Sequence, residues 1–276
     1  MDALHAIILG IVQGLTEFLP ISSSAHLELV PWFANWDDFE GNQDLETAFD
    51  VAVHLGTLVG AVAYLWQDVV RLTVAGVRTV VFRESSTDGR IAWLLVATMI
   101  PAAIVGVLAS DLRDSLDDDI WLTGVTLIVF GLLLLYADRL GGDRSFETFG
   151  VRDAVVFGLA QACALQPGVS RSGVTVTAAR WRLFDRSDAA RLVFLMSIPI
   201  IAAAGLYAFV DIGGFSGVPA DFRWAFFWGT VGSAITGWVA VWGLLAFVRR
   251  YDFTVFVIYR VLLGASVLTA LATGWR

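Results

Sequence analysis

Gln13-Gly14-Leu15-Thr16-Glu17-Phe18-Leu19-Pro20-Ile21-Ser22-Ser23-Ser24-Ala25-His26 is an apolar helical stretch interrupted by a proline and three serines. A second stretch in the other half repeats the plan: Gln161-Ala162-Cys163-Ala164-Leu165-Gln166-Pro167-Gly168-Val169-Ser170-Arg171-Ser172-Gly173-Val174-Thr175. With one inserted glycine allowed, Pro20 to Ala25 lies over Pro167 to Gly173. A helix broken inside lipid must bury its freed N–H and C=O groups in protein or a wet cavity. Matched breaks in two halves of a chain point to a binding site near the membrane midplane. Glu17, His26 and Arg171 ride on these breaks, and lipid does not tolerate such groups without a purpose.

The rest of the chain fits a membrane setting. Hydrophobic residues fill 57% of the 276 positions and charged residues 16%, which is polytopic membrane composition. Apolar runs of spanning length lie at about 48–66, 91–109, 120–137, 190–210, 224–247 and 253–272. The N-terminus has no basic region before its apolar stretch, so no cleaved signal peptide is expected. All 18 basic residues are Arg and the net charge is −8. That reads equally as salt adaptation or as the codon bias of a GC-rich genome. The acidic balance argues against nucleic-acid binding. Cys163 is the one cysteine, which excludes a disulfide or Cys-metal site within the chain. No zinc-type His spacing and no phosphate-binding Gly-Lys loop is present.

Arginine placement sets orientation. Arg71, Arg78, Arg83 and Arg90 fill one loop and Arg139, Arg144 and Arg152 another; Arg180, Arg182, Arg186 and Arg191 follow the second break, and Arg249 and Arg250 separate the last two spans. These are assigned to the cytoplasm. The acidic stretches 37–46, 111–119 and 211–221 face outside. Threading the chain through these loops makes each broken segment a re-entrant hairpin, one entering from each face and each followed by three spans. The expected fold is an all-α polytopic membrane protein with an inverted-topology repeat, residues 1–141 and about 150–276, in a single membrane domain. Gly10 and Gly14 are one turn apart, as are Gly56 and Gly60, a spacing that lets helices approach closely.

The breaks hold the chemistry. Gln13 and Glu17 share a helix face. Ser22, Ser23 and Ser24 can cap the returning helix, whose N-terminus suits an anion, and His26 lies about one turn in. In the second hairpin Ser170, Ser172 and Thr175 supply hydroxyls and Arg171 a planar fork for phosphate oxygens. Together the tips offer a carboxylate, an imidazole, hydroxyls, a guanidinium and two positive helix ends, an inventory that suits a phosphate ester or anhydride. Each piece also has a plainer reading: serines as caps, Glu17 and Arg171 as a structural ion pair, His26 as a satisfied interfacial residue. Asp50 and His54 read as a helix-end pair in preference to a direct role. Arg260, inside the last span, is expected to pair with an acid or with backbone carbonyls of a re-entrant segment.

These residues resemble the undecaprenyl-diphosphatase family, integral-membrane phosphatases linked to bacitracin resistance. The resemblance rests on the (Glu/Gln)-x-x-x-Glu motif at Gln13 and Glu17, the run Gly14 to His26, the run Pro167 to Thr175, and Phe49 to Leu58, and it covers essentially the whole chain. It implies hydrolysis of a polyprenyl diphosphate to the monophosphate and inorganic phosphate. This would recycle the lipid carrier at the extracytoplasmic face of the cell membrane, with Mg2+ or Ca2+. By motif, Glu17, Ser23, His26 and Arg171 would be catalytic and Glu17 a metal ligand. Gln13, Ser22, Ser24, Ser170, Ser172 and Thr175 would contact substrate. Gln13 takes the neutral option of the motif, which removes one carboxylate. Ser23 attacking phosphorus with His26 as base, or water activated by His26 or the metal, are both compatible with the motifs. A lipid-phosphate flippase is the rival class, because inverted repeats with broken helices are also transporter architecture. A homo-oligomer is left open.

Overall fold

The computed structural model describes residues 1–39, 41–108, 120–211 and 218–275. The acidic stretch 111–119, and most of 211–221, lie outside them. Among the described residues the protein is helical, with no strand beyond an isolated bridge between Arg144 and Phe184. The helices are α1 (Ala3–Phe18), α2 (Ser23–Ala34), α3 (Gln43–Tyr64), α4 (Trp66–Val81), α5 (Thr87–Ala97), α6 (Met99–Leu108), α7 (Ile120–Arg139), α8 (Val151–Cys163), α9 (Arg171–Trp181), α10 (Arg186–Asp211), α11 (Arg223–Val248) and α12 (Thr254–Ala272). Among the described residues six segments are long and apolar enough to cross a membrane: Gln43–Tyr64, Thr87–Gly106, Ile120–Arg139, Arg186–Ala208, Ala220–Val248 and Thr254–Ala272. They correspond one to one with the six runs read from sequence. The chain is an all-α multi-pass membrane protein.

Two local departures have clear causes. The third helix begins earlier than its apolar run, because the Asn42 side chain accepts from Leu45 N at 3.1 Å and Asp44 and Glu46 sit in the first turn, where the helix dipole favours acids. The Arg71 segment, expected as loop, is the helix α4. Exposed Val70, Val74, Val77 and Val81 fall at helical spacing along it, an apolar stripe that makes the segment amphipathic.

The chain divides into two compact units. The first comprises 1–18, 23–65 and 197–243. In it α11 packs against both α1 and α3 through glycines. A Cβ on Gly10 would stand 2.1 Å from Gly229 O, and one on Gly14 would stand 2.0 Å from Thr236 Oγ1. Gly56 and Gly60 meet Ser233 Oγ and Ala234 O as closely, at 2.0 and 2.3 Å. The two glycine pairs singled out by spacing are thus the contact seams, where missing side chains let backbones touch. The apolar centre of this unit is Ala6, Leu9, Leu27, Leu45, Ala48, Phe49, Val53, Ala225 and Phe226.

The second unit comprises 19–22, 66–196 and 244–276. Its spine is α7 against α12, where a Cβ on Gly264 would stand 2.5 Å from Gly124 O. Gly158 of α8 packs on the α5–α6 joint, where a Cβ on it would stand 2.8 Å from Pro101 Cγ, and Gln161 Nε2 donates to the Thr98 carbonyl in that joint at 2.9 Å. The arginines that mark one face also staple it. Buried Asp138 accepts from Arg180 Nε and Arg186 Nε, each at 2.8 Å, and from Phe253 N at 3.3 Å. At the base of α8, Asp153 accepts from both terminal nitrogens of Arg144 at 3.0 and 2.8 Å and from Arg182 Nε at 2.7 Å. Burial pushes the Asp153 carboxyl up, but these guanidiniums and the Gly150 N–H outweigh it and hold it below the ordinary carboxylate value.

Candidate active site

The first broken segment is the turn between α1 and α2. Pro20 lacks an N–H and cannot continue α1, and α1 ends at Phe18. Ser22 then takes a positive φ of 74° before α2 begins at Ser23. The second segment does the same: Ser170 has a φ of 70° and immediately precedes α9, which starts at Arg171. A serine in this region costs on the order of 1–3 kcal/mol, so the same strained position at both tips is a built feature. At the second tip part of the cost is offset by a cap, with the Ser170 hydroxyl accepting from Gly173 N at 3.0 Å.

Around the first break the side chains converge on one oxygen. Gln13 Nε2 donates to Glu17 Oε2 at 3.0 Å, and the Ser23 hydroxyl donates to the same atom at 2.6 Å. His54 Nε2 lies 3.5 Å from it. The Glu17 side chain is 4% exposed and that of His54 31%, so the carboxylate is desolvated while the imidazole keeps a path to the outside. A buried carboxylate needs such partners to stay charged. The other ring nitrogen of His54 bonds the Asp50 backbone carbonyl at 2.6 Å. The expected Asp50–His54 pairing therefore exists through the backbone, and the imidazole is turned toward Glu17. His26 is buried on α2, one turn from Ser23 on the same helix face, while Ser24 is exposed.

The second unit joins the two tips, since residues 19–22 belong to it. Ser172 Oγ donates to the Leu19 carbonyl at 2.9 Å and lies 3.2 Å from Ser170 Oγ. Arg260, fully buried, donates to the Pro20 carbonyl at 3.2 Å, to the Gly168 and Val169 carbonyls at 2.9 and 3.1 Å, and to Leu127 O at 3.0 Å. The expected pairing of Arg260 with carbonyls of a re-entrant segment holds for both segments at once. It answers the requirement that broken helices in lipid satisfy their freed carbonyls internally. Gly168, at φ 81°, faces Thr126, whose hydroxyl donates to the Pro167 carbonyl at 2.8 Å. Arg171 is half-buried at the head of α9. Thr175 is fully buried and donates to the Arg171 carbonyl at 2.6 Å, so its hydroxyl proton is committed to its own helix.

The structure thus groups Gln13, Glu17 and Ser23 around one carboxylate oxygen, and Ser170, Ser172 and the backbone of both tips around Arg260. The approach of His54 to Glu17 is the contact that sequence reasoning did not foresee. The available signal was a histidine inside an apolar span, which is by default a functional candidate.

The comparisons agree over nearly the whole chain. The model of the family described as bacitracin resistance protein BacA matches residues 6–266. The undecaprenyl-diphosphatase of Desulforudis audaxviator is 44% identical over 269 residues, covering 97% of each chain. That of Moorella thermoacetica is 42% identical over 270 residues, again covering 97% of each. The one from Thermomicrobium roseum is 41% identical over 278 residues, 97% of this chain and 98% of the relative. Broken tips, span number and motifs were read from the chain itself, and the comparisons place them in one lineage: this chain belongs to the bacitracin resistance protein BacA family.

Proposed function

We propose that the protein hydrolyses a polyprenyl diphosphate of the undecaprenyl type to the monophosphate and inorganic phosphate, recycling a lipid carrier used in surface-glycan synthesis. The observation that carries this reading is the 2.6 Å hydrogen bond from Ser23 to the buried carboxylate of Glu17. A serine whose hydroxyl is bonded to a desolvated base is an activated nucleophile. A carrier protein has no need of one, and the relatives are named for hydrolysis.

Both tips serve one substrate in this reading. Support comes from the family, whose model matches the chain across both motifs. Arg171 and the N-terminus of α9 bind the diphosphate oxygens. Ser170 and Ser172 line the phosphate side, with Ser22 and Ser24 at the first tip. Ser23 Oγ attacks the terminal phosphorus and its proton passes to Glu17. The bond from that phosphorus to the bridging oxygen breaks, and the lipid monophosphate leaves. Water, activated by His26, then hydrolyses the phosphoserine, releasing inorganic phosphate and restoring the hydroxyl. Thr175 acts indirectly, by fixing the Arg171 carbonyl.

The donor set suits a hard divalent cation such as Mg2+ or Ca2+. Gln13 Oε1 is buried without a hydrogen-bond partner among the described residues, one helical turn from the Glu17 carboxylate. Among those residues no cluster of three His, Cys, Asp or Glu occurs, so substrate oxygens would complete the shell, as is usual for Mg2+ at phosphates. When bound, the ion neutralises diphosphate charge.

The halves 1–141 and 150–276 form the inverted repeat in this proposal. In support, each hairpin sets a glycine of its first helix against the second span of the opposite half: Gly10 against α11, Gly158 against the α5–α6 joint. The arginine asymmetry supports a first hairpin that opens to the extracytoplasmic side of the plasma membrane. An impermeant thiol reagent should then label Asp38→Cys in intact cells and Ser85→Cys only after permeabilisation; labelling of both from one side refutes the arrangement.

Phosphate release from a polyprenyl diphosphate in detergent tests the function, since transport has no meaning there. Ser23→Ala should abolish turnover, and rapid quenching of the wild type should trap a phosphoserine. Residual activity of a few per cent without a trapped intermediate would replace the covalent route by direct attack of water, and no release by the wild type would overturn the diphosphatase reading.

A further inference from the structure

His54 and Glu17 present an electrostatic problem that a cation solves. The His54 Nδ1 lies 2.6 Å from the Asp50 carbonyl, a contact that requires the ring proton on Nδ1. In the neutral ring the Nε2 lone pair therefore faces Glu17 Oε2, 3.5 Å away. Lone pair against carboxylate is repulsive, and either a second ring proton or a cation between the two atoms removes the repulsion; the geometry favours the cation. A fixed Nδ1–H to carbonyl bond, leaving Nε2 as donor atom, is also the usual outer-shell arrangement of a metal-binding histidine. The spacing fits: two ligands each about 2.1 Å from one ion and roughly tetrahedrally placed are about 3.4 Å apart. Gln13 spends its Nε2 on the same Glu17 oxygen and leaves Oε1 buried without a hydrogen-bond partner among the described residues.

We propose that His54 Nε2 and Glu17 are ligands of one divalent cation, with Gln13 Oε1 as an additional oxygen donor. The set explains why the neutral amide at position 13 is tolerated, since the imidazole supplies the further ligand that a second carboxylate would otherwise give. It also sets a preference. A nitrogen ligand moves selectivity from Ca2+ toward ions that accept imidazole, Mn2+ or Zn2+ among them. The inference rests on the diphosphatase reading only for the substrate oxygens that complete the shell, so binding is measurable without substrate.

The probe is Mn2+ with the full-length protein in detergent, followed by electron paramagnetic resonance with no lipid diphosphate present. The wild type should deplete the free Mn2+ signal, and Ca2+ should compete poorly. Pulsed spectra should show modulation from a directly bound imidazole nitrogen. His54→Phe should weaken binding at least about tenfold and remove that modulation, whereas His5→Gln and His26→Gln should keep it. Should His54→Phe fail to fold, His54→Gln gives the same nitrogen readout.

Nitrogen modulation that survives loss of His54, or disappears with His26→Gln, overturns the assignment. So does wild-type protein that binds no Mn2+, in which case the contact between His54 and Glu17 serves the packing of α3 on α1. The two readings fail separately. Phosphate release that persists in chelator, together with absent Mn2+ binding, refutes the ligand set and leaves the diphosphatase. Mn2+ bound through His54 without any phosphate release does the reverse.

Discussion

Gln13 in the first hairpin and Gln161 in the second occupy matched places. Each stands three residues after a glycine that packs against another helix, and each precedes a proline in the turn that follows its helix. Each leaves its side-chain oxygen buried and unpartnered among the described residues. Their amide nitrogens differ. That of Gln13 goes to a carboxylate beside a serine, and that of Gln161 goes to a backbone carbonyl at a helix joint. The tips diverge in the same sense. Both pass through a strained serine into a new helix, but the first follows it with Ser23 and His26 and the second with Arg171. Under the proposed function, one backbone device is fitted once with proton-handling groups and once with anion-binding ones. The shared parts hold the fold, and the proposal assigns the chemistry to the differing parts.

The largest expected effect comes from breaking the shared part. Arg260 serves the Pro20, Gly168 and Val169 carbonyls. Each buried acceptor left unmade costs about 1–3 kcal/mol, so three cost about 3–9 kcal/mol, comparable with the whole stability of a domain. Arg260→Met should therefore abolish folded protein, scored by detergent size exclusion, and not merely lower activity. Folded and active Arg260→Met would show that the tips do not depend on this guanidinium.

A smaller effect follows from changing only the anion-binding tip. Arg171→Lys keeps the charge and loses the planar fork. Loss of one charged hydrogen bond at about 1.5–3 kcal/mol predicts roughly a 10- to 150-fold fall in kcat/KM with an unchanged unfolding temperature. Near wild-type turnover would assign Arg171 a role in which charge alone suffices.

Much of this comparison was legible in the sequence, for physical reasons. Spans of about twenty apolar residues announce themselves by length, and prolines and serines within them announce the breaks. Gly10, Gly14, Gly56 and Gly60 were readable as seams because helical spacing fixes which residues share a face. Arg260 was readable because a buried guanidinium in lipid has few acceptors other than freed carbonyls. His54 was not, because its partner Glu17 lies on another helix and no local periodicity links positions 17 and 54. The helix α4 was misread because its arginines dominated the valine stripe beneath them. The division into two units that each draw on both halves was equally hidden, since it depends on packing between distant segments.

The smallest and most discriminating change is the same substitution at the two matched glutamines. At position 161 the amide N–H2 is used against the Thr98 carbonyl. A carboxylate cannot donate there, so Gln161→Glu should destabilise by about 1–3 kcal/mol, and a divalent cation should not restore it, because nothing acidic is described beside it. At position 13 the amide instead faces Glu17. Gln13→Glu places two carboxylates one turn apart, which repel unless a cation lies between them. Its unfolding temperature should drop by a few degrees in chelator, at about 2–4 °C per kcal/mol for a chain of this size. It should recover, or exceed the wild type, when Mg2+ or Mn2+ is added. Thermal unfolding of both variants with and without metal gives the answer. Equal metal responses at the two positions would mean that the hairpins are not differentiated in this way, and that the first holds no cation at all.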